Sequence, residues 1–600
     1  MIPSTTSALL LALGVTLSGA TSIPSGKPIK PTHESSKENA NRIFNAIHSA
    51  GRQWGSSLYH NGFGFVPAVM PRGTLVFHGD RNNTVPTGPE WLAFEIEHAE
   101  GFAHSHKGTS RRIPPTKPPG GGDPDDPNGP PPPPRDGDSD GQKPLSGDEE
   151  TRQELRRRHD GHGPSGGPGG PGGGPPGDGD DENKNTRGYL QTYQANRDLK
   201  LLYIDGTSAG KTTMGTLDSQ DLLLRENATN HNQPGFDEYP RALDLCDLVG
   251  DWGFDGVMRM EAGFEVIYCD FKDGLDLISM TRTMMPEDKV GDEYLDAFQW
   301  VRAVGERYNG LGDRIRFDFS SMVSALFFPV NITSSDIDRP DLVRLESVSL
   351  DDLRAIKKYL AKVVTQPRRF TVNWQGVIDL IVSRFAQRLS SMASESLPWQ
   401  YFIDEVETIT ATWFDAAPLP EDITLSKRKE INRTADGIDR CRNHFLRPAT
   451  IARKEWSSED ELIFTSIDTV MENVCSTLFS VRELIFDASS NALASNSNYQ
   501  AVDIDDDSGL QQAARIGRTV VQRLMEELSW TTWKQPQPCP AEEVLFIAMW
   551  PFGSKNDHWN PGCRSVDGLM QSRYNESYWR MNFGGPGGPP DGDKPNGGKP

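Results

Sequence analysis

PPGGGDPDDPNGPPPPP, residues 118–134, and GPSGGPGGPGGGPPGDGDD, residues 163–181, belong to one tract of proline, glycine and aspartate that runs from about Ile113 to Thr186. Such a segment has too little apolar surface to offset the conformational entropy lost on folding, so we predict disorder or partial polyproline II structure. A collagen triple helix is not expected, because the Gly-X-Y phase is held for only a few repeats. The tract therefore interrupts the folded chain, and the tail from 583 to 600 has the same character.

The segments on either side of the tract, residues 34–112 and 187–290, predict both helices and strands. Ile43, Phe44 and Ile47 fall at helical spacing, which predicts a helix from about Lys37. Runs rich in β-branched and aromatic residues predict strands on both sides of the tract. The predicted elements are strands at Thr74–His78, Trp91–Phe94, Tyr189–Ala195, Leu199–Ile204 and Phe264–Asp270, and helices at Ile96–Ala103 and Asp244–Trp252. We therefore expect one mixed domain that carries the tract as an insertion.

After about residue 291 the sequence becomes mainly helical. Apolar residues recur every three or four positions from Leu462 to Ile485, which predicts a long amphipathic helix. Further helices are predicted at Leu350–Val364, Val377–Met392 and Gln511–Leu528. Residues 529–582 combine tryptophans with Cys539 and Cys563, which favours a disulfide-stapled cap, with a sugar-binding aromatic surface as the alternative. The expected class is α+β: a mixed N-terminal α/β-type domain, a helical region at 291–528 and a small Cys/Trp-rich C-terminal part.

Composition limits the partners of the chain. The 600 residues carry a net charge of -22 and have a pI near 5.1. Phosphate backbones are bound by clustered lysine and arginine, so no nucleic-acid partner is expected. No stretch reaches the roughly 18 to 20 uninterrupted apolar residues of a membrane-spanning helix, so no stable membrane anchor is expected either. The partner is then a protein or small-molecule target that the sequence does not identify.

The N-terminus predicts export. Residues 1–22 resemble a secretory signal peptide, because the apolar run Leu9–Val15 is followed by the small, polar stretch Thr16–Ser22. The 6 cysteines form an even set compatible with disulfides in an oxidising compartment, and none has the CxxC spacing of a metal site. Glycosylation sequons begin at Asn82, Asn227, Asn331, Asn432 and Asn575. We expect a secreted, extracellular protein, and no metal site.

The loop DGTSAGKT, residues 205–212, follows a predicted strand and partly fits two functional motifs, a phosphate-binding loop and a hydrolase nucleophile elbow. A phosphate-binding P-loop is disfavoured, because Asp205 stands where the motif requires its first glycine. GTSAG also fits the nucleophile elbow of a serine hydrolase, with Ser208 as the nucleophile and a distant histidine as the base. The polar segment that follows is unlike the buried helix behind such an elbow. A simple turn and a serine hydrolase both remain open here.

Three motifs, in chain order, resemble the ADP-ribosyltransferase fold of the poly-ADP-ribose polymerase and diphtheria-toxin type. They are TLVFHGDR (74–81), GPEWLAFEIEHAEGFA (88–103) and FEVIYCD (264–270). The resemblance implies that His78 and Gly79 bind the nicotinamide riboside of NAD and that Trp91 stacks on the nicotinamide. It also implies that Glu265 is the catalytic carboxylate, with Asp221 and Glu261 as competitors for that role. A carboxylate suits this reaction, because breaking the nicotinamide–ribose bond builds positive charge on the sugar.

Two other interpretations of the same segments are possible besides an ADP-ribosyltransferase. The strands TLVFH and FEVIYCD are also compatible with ordinary half-buried strands, with His78 satisfied by a hydrogen bond in the core. In layout, and in GPEWLAFEIEHAEGFA, the chain resembles uncharacterised secreted proteins of filamentous fungi. We therefore expect a secreted ADP-ribosyltransferase-like or NAD-glycohydrolase-like toxin domain with a helical extension, with NAD as its substrate. The alternative is a non-enzymatic secreted surface or matrix protein.

Overall fold

The structure is a computed structural model. It describes residues 28–105, 186–227, 237–285, 295–305, 310–334, 336–416, 432–495, 508–535, 538–569 and 577–580. The predicted signal peptide, nearly all of the predicted Pro/Gly tract and the predicted tail lie outside these residues. Within them, a mixed sheet domain is followed by a mainly helical region and a small C-terminal part, so the α+β class is confirmed.

The sheet contains ten strands of the described chain. They are β1 Asn61–Met70, β2 Leu75–Asp80, β3 Glu90–Ala93, β4 Tyr189–Ala195, β5 Leu199–Gly206, β6 Gly256–Glu261, β7 Gly263–Tyr268, β8 Leu275–Arg282, β9 Arg316–Phe317 and β10 Val323–Ser324. Their order is β10-β1-β5-β6-β7-β3-β2-β4-β8, with β9 paired to β1. Only β5 and β6 pair in parallel among these strands. The part of the chain before the tract thus supplies β1, β2 and β3, and the part after it supplies strands that pair with all three.

The sheet is strongly curled. Ala195 ends β4 and Leu199 begins β5, so about 14 Å of extended chain at most joins the two strands. Along the hydrogen-bonded path, however, β6, β7, β3 and β2 lie between them, and five steps of about 4.8 Å would separate them by about 24 Å in a flat sheet. The sheet must therefore bend until β4 and β5 approach each other. The strands predicted at Tyr189–Ala195 and Leu199–Ile204 are both present, but they do not pair with each other.

Helices cover the sheet and form the second region. They are α1 His33–Glu38, α2 Ala40–Ser49, α3 Gln53–Leu58, α4 Ile96–Glu100, α5 Glu238–Asp251, α6 Leu295–Gly305, α7 Leu350–Val364, α8 Trp374–Ala393, α9 Trp399–Ala411, α10 Arg433–Thr450, α11 Ser458–Ser495, α12 Ser508–Leu528 and α13 Lys555–Trp559. The predicted apolar face of α11 is buried and packs against α2, whose Ile43, Phe44 and Ile47 are fully buried. One continuous apolar core joins the sheet to the helices. The two regions therefore fold as one body.

Three disulfides pair all six cysteines: Cys246–Cys269, Cys441–Cys475 and Cys539–Cys563. The first ties α5 to the chain just after β7, and the second ties α10 to α11. The third staples a small unit in which β11 Val544–Phe546 pairs with β12 Gly562–Arg564. This unit is the disulfide-stapled cap predicted for the C-terminal part, and it packs against α6 through Trp300 and Val544.

Candidate functional site

The hairpin of β6 and β7 carries charged side chains into the interior. Arg259 and Glu265 are register partners on the two strands, and Glu261 lies two residues beyond Arg259 on the same face. All three residues are at most 4% exposed. Charged residues at such depth are rare unless they are paired. The hairpin is therefore the starting point of the candidate site.

Two cations, Lys211 and Arg259, neutralise these carboxylates. Lys211 Nζ, from the loop after β5, lies 2.8 Å from Glu261 Oε2. Arg259 Nε donates to Glu265 Oε1 at 2.7 Å, and its Nη2 donates to Glu238 at the start of α5. Arg259 Nη1 also donates to Gln220 Oε1 at 3.1 Å. Gln220 lies in a π-helix, Ser219–Leu224, a rare element that is frequent at functional sites.

A second layer of ion pairs continues from this π-helix into α5. Arg241 forms a bidentate pair with Asp221, with both contacts at 2.8 Å. Arg225 bridges Asp221 at 3.0 Å and Asp237 at 2.7 Å. We call the whole set the charged centre: Lys211, Arg225, Arg241 and Arg259 with Asp221, Asp237, Glu238, Asp244, Glu261 and Glu265. Its carboxylates outnumber its cations by two.

The two hairpin carboxyls lie in different electrostatic environments. Burial opposes ionisation of Glu261, but Lys211 and His98 together outweigh it and hold the pKa of Glu261 below its usual range. Burial, reinforced by the charges of Glu261 and Glu238, raises the pKa of Glu265 although Arg259 opposes the shift. Paired carboxyls with pKa values pushed apart are typical of sites that use one carboxyl ionised and the other protonated.

A histidine and two tryptophans cover the charged centre. His98, on α4, has Nε2 at 3.9 Å from Glu261 Oε1 and stacks on Trp300 of α6, with ring centroids 5.8 Å apart. Lys211 Nζ lies 4.8 Å from the ring centroid of Trp550 in the C-terminal part. His98, Glu261 and Glu265 each offer one ligand atom, and these atoms lie within 4.8 Å of one another. The helical and C-terminal regions thus contribute aromatic rings to a site built on the sheet domain.

The structure places His78 and Glu265 on opposite faces of the sheet, whereas Trp91 lies on the same face as Glu265. β7, β3 and β2 are neighbours, and Phe77, Ala93 and Glu265 lie in one row across them. Because side chains alternate between faces along a strand, His78 points to the opposite face from Glu265. His78 Nδ1 donates to the Trp91 carbonyl oxygen at 2.8 Å, and its Nε2 is buried without a hydrogen-bond partner. Of the predicted site residues, Glu265 belongs to the charged centre, and so do Asp221 and Glu261, the two alternatives for its role.

The other two NAD-assigned residues have clear local roles. Gly79 lies against α4, where a Cβ atom would be 2.0 Å from the Ala99 carbonyl oxygen, so the helix alone explains this glycine. Trp91 is half-buried and pairs in register with Ile267 of β7. Ser208, the proposed hydrolase nucleophile, is buried and donates to the Ile204 carbonyl oxygen at 2.9 Å. These contacts give no support to a shared NAD or serine-hydrolase site.

Sequence reasoning missed most of the charged centre. In the sequence, Lys211 belongs to a loop whose spacing does not fit a P-loop, and His98 lies in a segment that predicts only a helix. The available signal was GVMRMEAGFEVIY, residues 256–268, in which Arg259, Glu261 and Glu265 interrupt two otherwise apolar strands at even spacing. Even spacing places charges on one face of a strand, and a charged face inside apolar strands indicates a buried site.

Comparisons with known proteins find one matching domain model and two yeast relatives. Residues 32–294 match the family model of the YPL277C N-terminal domain. The chain is 26% identical over 586 residues to the uncharacterized protein YOR389W of Saccharomyces cerevisiae, a match that covers 86% of this chain and 82% of that protein. It is 32% identical over 264 residues to the uncharacterized protein YPL277C of the same yeast, covering 42% of this chain and 45% of that protein. No solved structure matches.

The matched segment has a direct bearing on the site. Every residue of the charged centre, and His98, lies within residues 32–294, whereas Trp300 and Trp550 lie beyond them. Neither relative's description states an activity. The chain is therefore similar to uncharacterised fungal proteins, and the part that matches the YPL277C N-terminal domain contains every residue of the charged centre.

Proposed function

We propose that the charged centre is the active site of an exported enzyme that breaks a glycosidic bond, with NAD as the first substrate to test. The observation that carries the proposal is the pair Glu261 and Glu265, whose carboxylate oxygens lie within 4.8 Å inside a closed, charged site. Closely spaced carboxylates recur in enzymes that stabilise a positively charged sugar transition state. Lys211 and Arg259 fix the two side chains in place.

The proposed reaction is hydrolysis or transfer at an anomeric carbon. With NAD, the bond between C1 of the ribose and the nicotinamide nitrogen breaks, and its electron pair leaves with neutral nicotinamide. The ionised carboxylate of Glu261 stabilises the positive charge that develops on the sugar. Water, or a hydroxyl group of a target, then bonds to C1 and releases its proton to a carboxylate. In this chemistry Glu261 takes the stabilising role that the resemblance assigned to Glu265, and Glu265 accepts the proton of the attacking group. The proposal does not require His78 or Trp91.

Export is part of the same proposal. The three disulfides are compatible with an oxidising compartment, where such bonds persist. Among the described helices, none is long and apolar enough to cross a membrane. Together with the signal-peptide-like residues 1–22, these features support a secreted protein.

A second candidate is a non-enzymatic exported protein in which the ion pairs only stabilise the fold. It is favoured by the closure of the centre, where Glu261 and Glu265 are 3% and 4% exposed. An open cavity of about 270 Å³ lies beside Arg52 and Asp379 instead, and none of its lining residues belongs to the charged centre. For an enzyme, the cover that includes Trp300 and Trp550 has to move to admit substrate.

Nicotinamide release from NAD by the purified secreted protein separates the two candidates. We expect turnover in the wild type and its loss in Glu261→Gln and Glu265→Gln, which remove charge at nearly constant shape. Glu34→Gln, at an exposed position on α1, is the matched control and should keep full activity. Absence of turnover with NAD and with nitrophenyl glycosides, in a folded wild-type protein, would reject the enzyme and leave the structural role.

A further inference from the structure

His98 is a buried imidazole without a hydrogen bond. The residue is 2% exposed, and neither of its ring nitrogens has a hydrogen-bond partner. Leaving a buried polar atom unpaired is unfavourable, so such atoms usually have a ligand or an ordered water. The rings of Trp300 and Phe102 pack against the imidazole, with centroids 5.8 and 5.9 Å away, and leave an apolar surface on those sides.

The imidazole is aimed at the carboxylates. On the Nδ1 side it abuts Gly263, where a Cβ atom would be 2.6 Å from Nδ1 and where φ is +115°. On the other side, Nε2 faces Glu261 Oε1 at 3.9 Å, which is too long for a hydrogen bond. Lys211 contacts the other oxygen, Oε2, of the same carboxylate. The space between Nε2 of His98 and Oε1 of Glu261 is therefore bordered by two atoms that are both able to bind a cation.

Glu265 completes a triangle around that point. One ligand atom from each of His98, Glu261 and Glu265 lies within 4.8 Å of the other two. Ligand atoms on one transition-metal ion are about 3 to 4.4 Å apart, because each lies about 2.0–2.2 Å from the ion. Side-chain shifts of under about an ångström would bring the three atoms to that spacing.

The charges around the triangle also favour a cation. Next to the triangle, the carboxylates of Glu238, Glu261 and Glu265 outnumber the cations of Lys211 and Arg259 by one, which favours a bound cation. Lys211 and Arg259 each bind an oxygen of a prospective ligand carboxylate, as outer groups do when they orient metal ligands. One imidazole with two carboxylates suits Zn²⁺ or Mn²⁺ better than Ca²⁺, which takes oxygen ligands only.

We propose that His98, Glu261 and Glu265 bind one divalent transition-metal cation at the tip of the β6–β7 hairpin. Three protein ligands leave a position open for water or substrate, as in catalytic rather than structural sites. The catalytic meaning of the ion rests on the proposed function: a bound ion would polarise the water that attacks the sugar. Ion binding itself is measured without turnover.

The test uses the full secreted chain, stripped with a chelator and dialysed against Zn²⁺, Mn²⁺ or Ca²⁺ separately. We expect about one Zn²⁺ or Mn²⁺ per chain and a higher melting temperature, with no comparable effect of Ca²⁺. His98→Gln should weaken binding about tenfold or more. His444→Ala is the control, because it removes an exposed histidine from the helical region and should change nothing. Equal binding by wild type and His98→Gln overturns the proposal.

Co²⁺ gives a readout that depends on no variant. In the wild-type protein we expect the visible absorption of a four- or five-coordinate ion, and a spectrum of hydrated six-coordinate Co²⁺ contradicts the proposed site. If Glu261→Gln abolishes NAD cleavage but the wild type binds no ion, the cation site is rejected and the enzyme stands. If the wild-type protein binds the ion but shows no turnover, the cation site is supported and the enzymatic function is rejected.

Discussion

Arg259 and Glu265 face each other across the β6–β7 hairpin as register partners, and Arg259 Nε donates to Glu265 Oε1 at 2.7 Å. Neither residue is more than 4% exposed. The same guanidinium also binds Glu238 and Gln220, so one arginine connects the hairpin, α5 and the π-helix. The hairpin thus positions the charged centre and depends on it for stability.

Arg259→Met should be strongly destabilising. It leaves the buried carboxylates of Glu238 and Glu265 without their common cation, and breaking one partner of a buried pair costs about 3–5 kcal/mol. Urea unfolding should show this loss in the free energy of unfolding, and adding Glu265→Gln should restore part of it. Arg453→Ala is the control, because its pair with Glu461 is exposed and should contribute under about 1 kcal/mol. Equal losses in the two single variants would contradict the role given to Arg259.

Gly263→Ala should displace His98. The backbone at Gly263 has φ +115°, which L side chains rarely adopt, and a Cβ atom there would be 2.6 Å from His98 Nδ1. We expect a lower melting temperature and a shifted imidazole resonance for His98. Gly250→Ala is the matched control, because Gly250 is exposed on α5 with nothing near the added Cβ atom. There alanine should stabilise the helix by about 0.5–1 kcal/mol, and a similar effect at both glycines would contradict the close contact.

Loss of the Cys539–Cys563 disulfide should loosen the cover of the charged centre. This disulfide closes the loop that carries Trp550, whose ring lies beside Lys211. In Cys539→Ser/Cys563→Ser, hydrogen exchange should increase over 544–569 and around Lys211, while α10 and α11 stay protected. Cys441→Ser/Cys475→Ser should give the opposite pattern, since that bond joins the two helices. Exchange that rises uniformly in both variants would mean that neither disulfide acts locally.

Part of the fold was predictable because it depends on local patterns. The strands containing Val76, Leu92 and Val266, and the helix from Leu350 to Val364, lie where periodicity predicts them. β6 was missed because Arg259 and Glu261 interrupt its apolar run, and the alternation from Met258 to Glu261 spans only four residues. The partners that make those charges tolerable come from distant parts of the chain, and no local pattern shows them.

For the same reason the sequence indicated only three residues of the site: Glu265, with Asp221 and Glu261 as alternatives for its role. Glu265 was selected through a resemblance, and the structure places it in the charged centre. Lys211 looked like a failed phosphate ligand, yet its partner Glu261 is 50 residues away in sequence. His98 lies in a short helix whose packing against the hairpin tip depends on Gly263. The order of the strands in the sheet brings these distant residues together, and no sequence pattern in this chain specifies that order.

Asp205 should make the protein less stable as pH rises. Its carboxyl, at the end of β5, accepts the Gly64 N–H at 2.7 Å, but burial dominates and raises the pKa of Asp205 to about 7. The unfolded chain releases this proton near pH 4, so the folded state binds more protons between about pH 4 and pH 7. The stability contributed by the protonated carboxyl is fully present below about pH 4. It is lost as pH rises through about 7.

Asp205→Asn isolates this contribution. Its amide oxygen still accepts from Gly64, but the side chain no longer titrates. Between pH 5 and pH 8, the wild type should lose on the order of 2–3 kcal/mol more in free energy of unfolding than the variant. Urea unfolding of both proteins at the two pH values measures this difference directly, because other titrating groups contribute equally to both. Parallel pH profiles would show that Asp205 is ionised throughout and that its hydrogen bonds outweigh its burial.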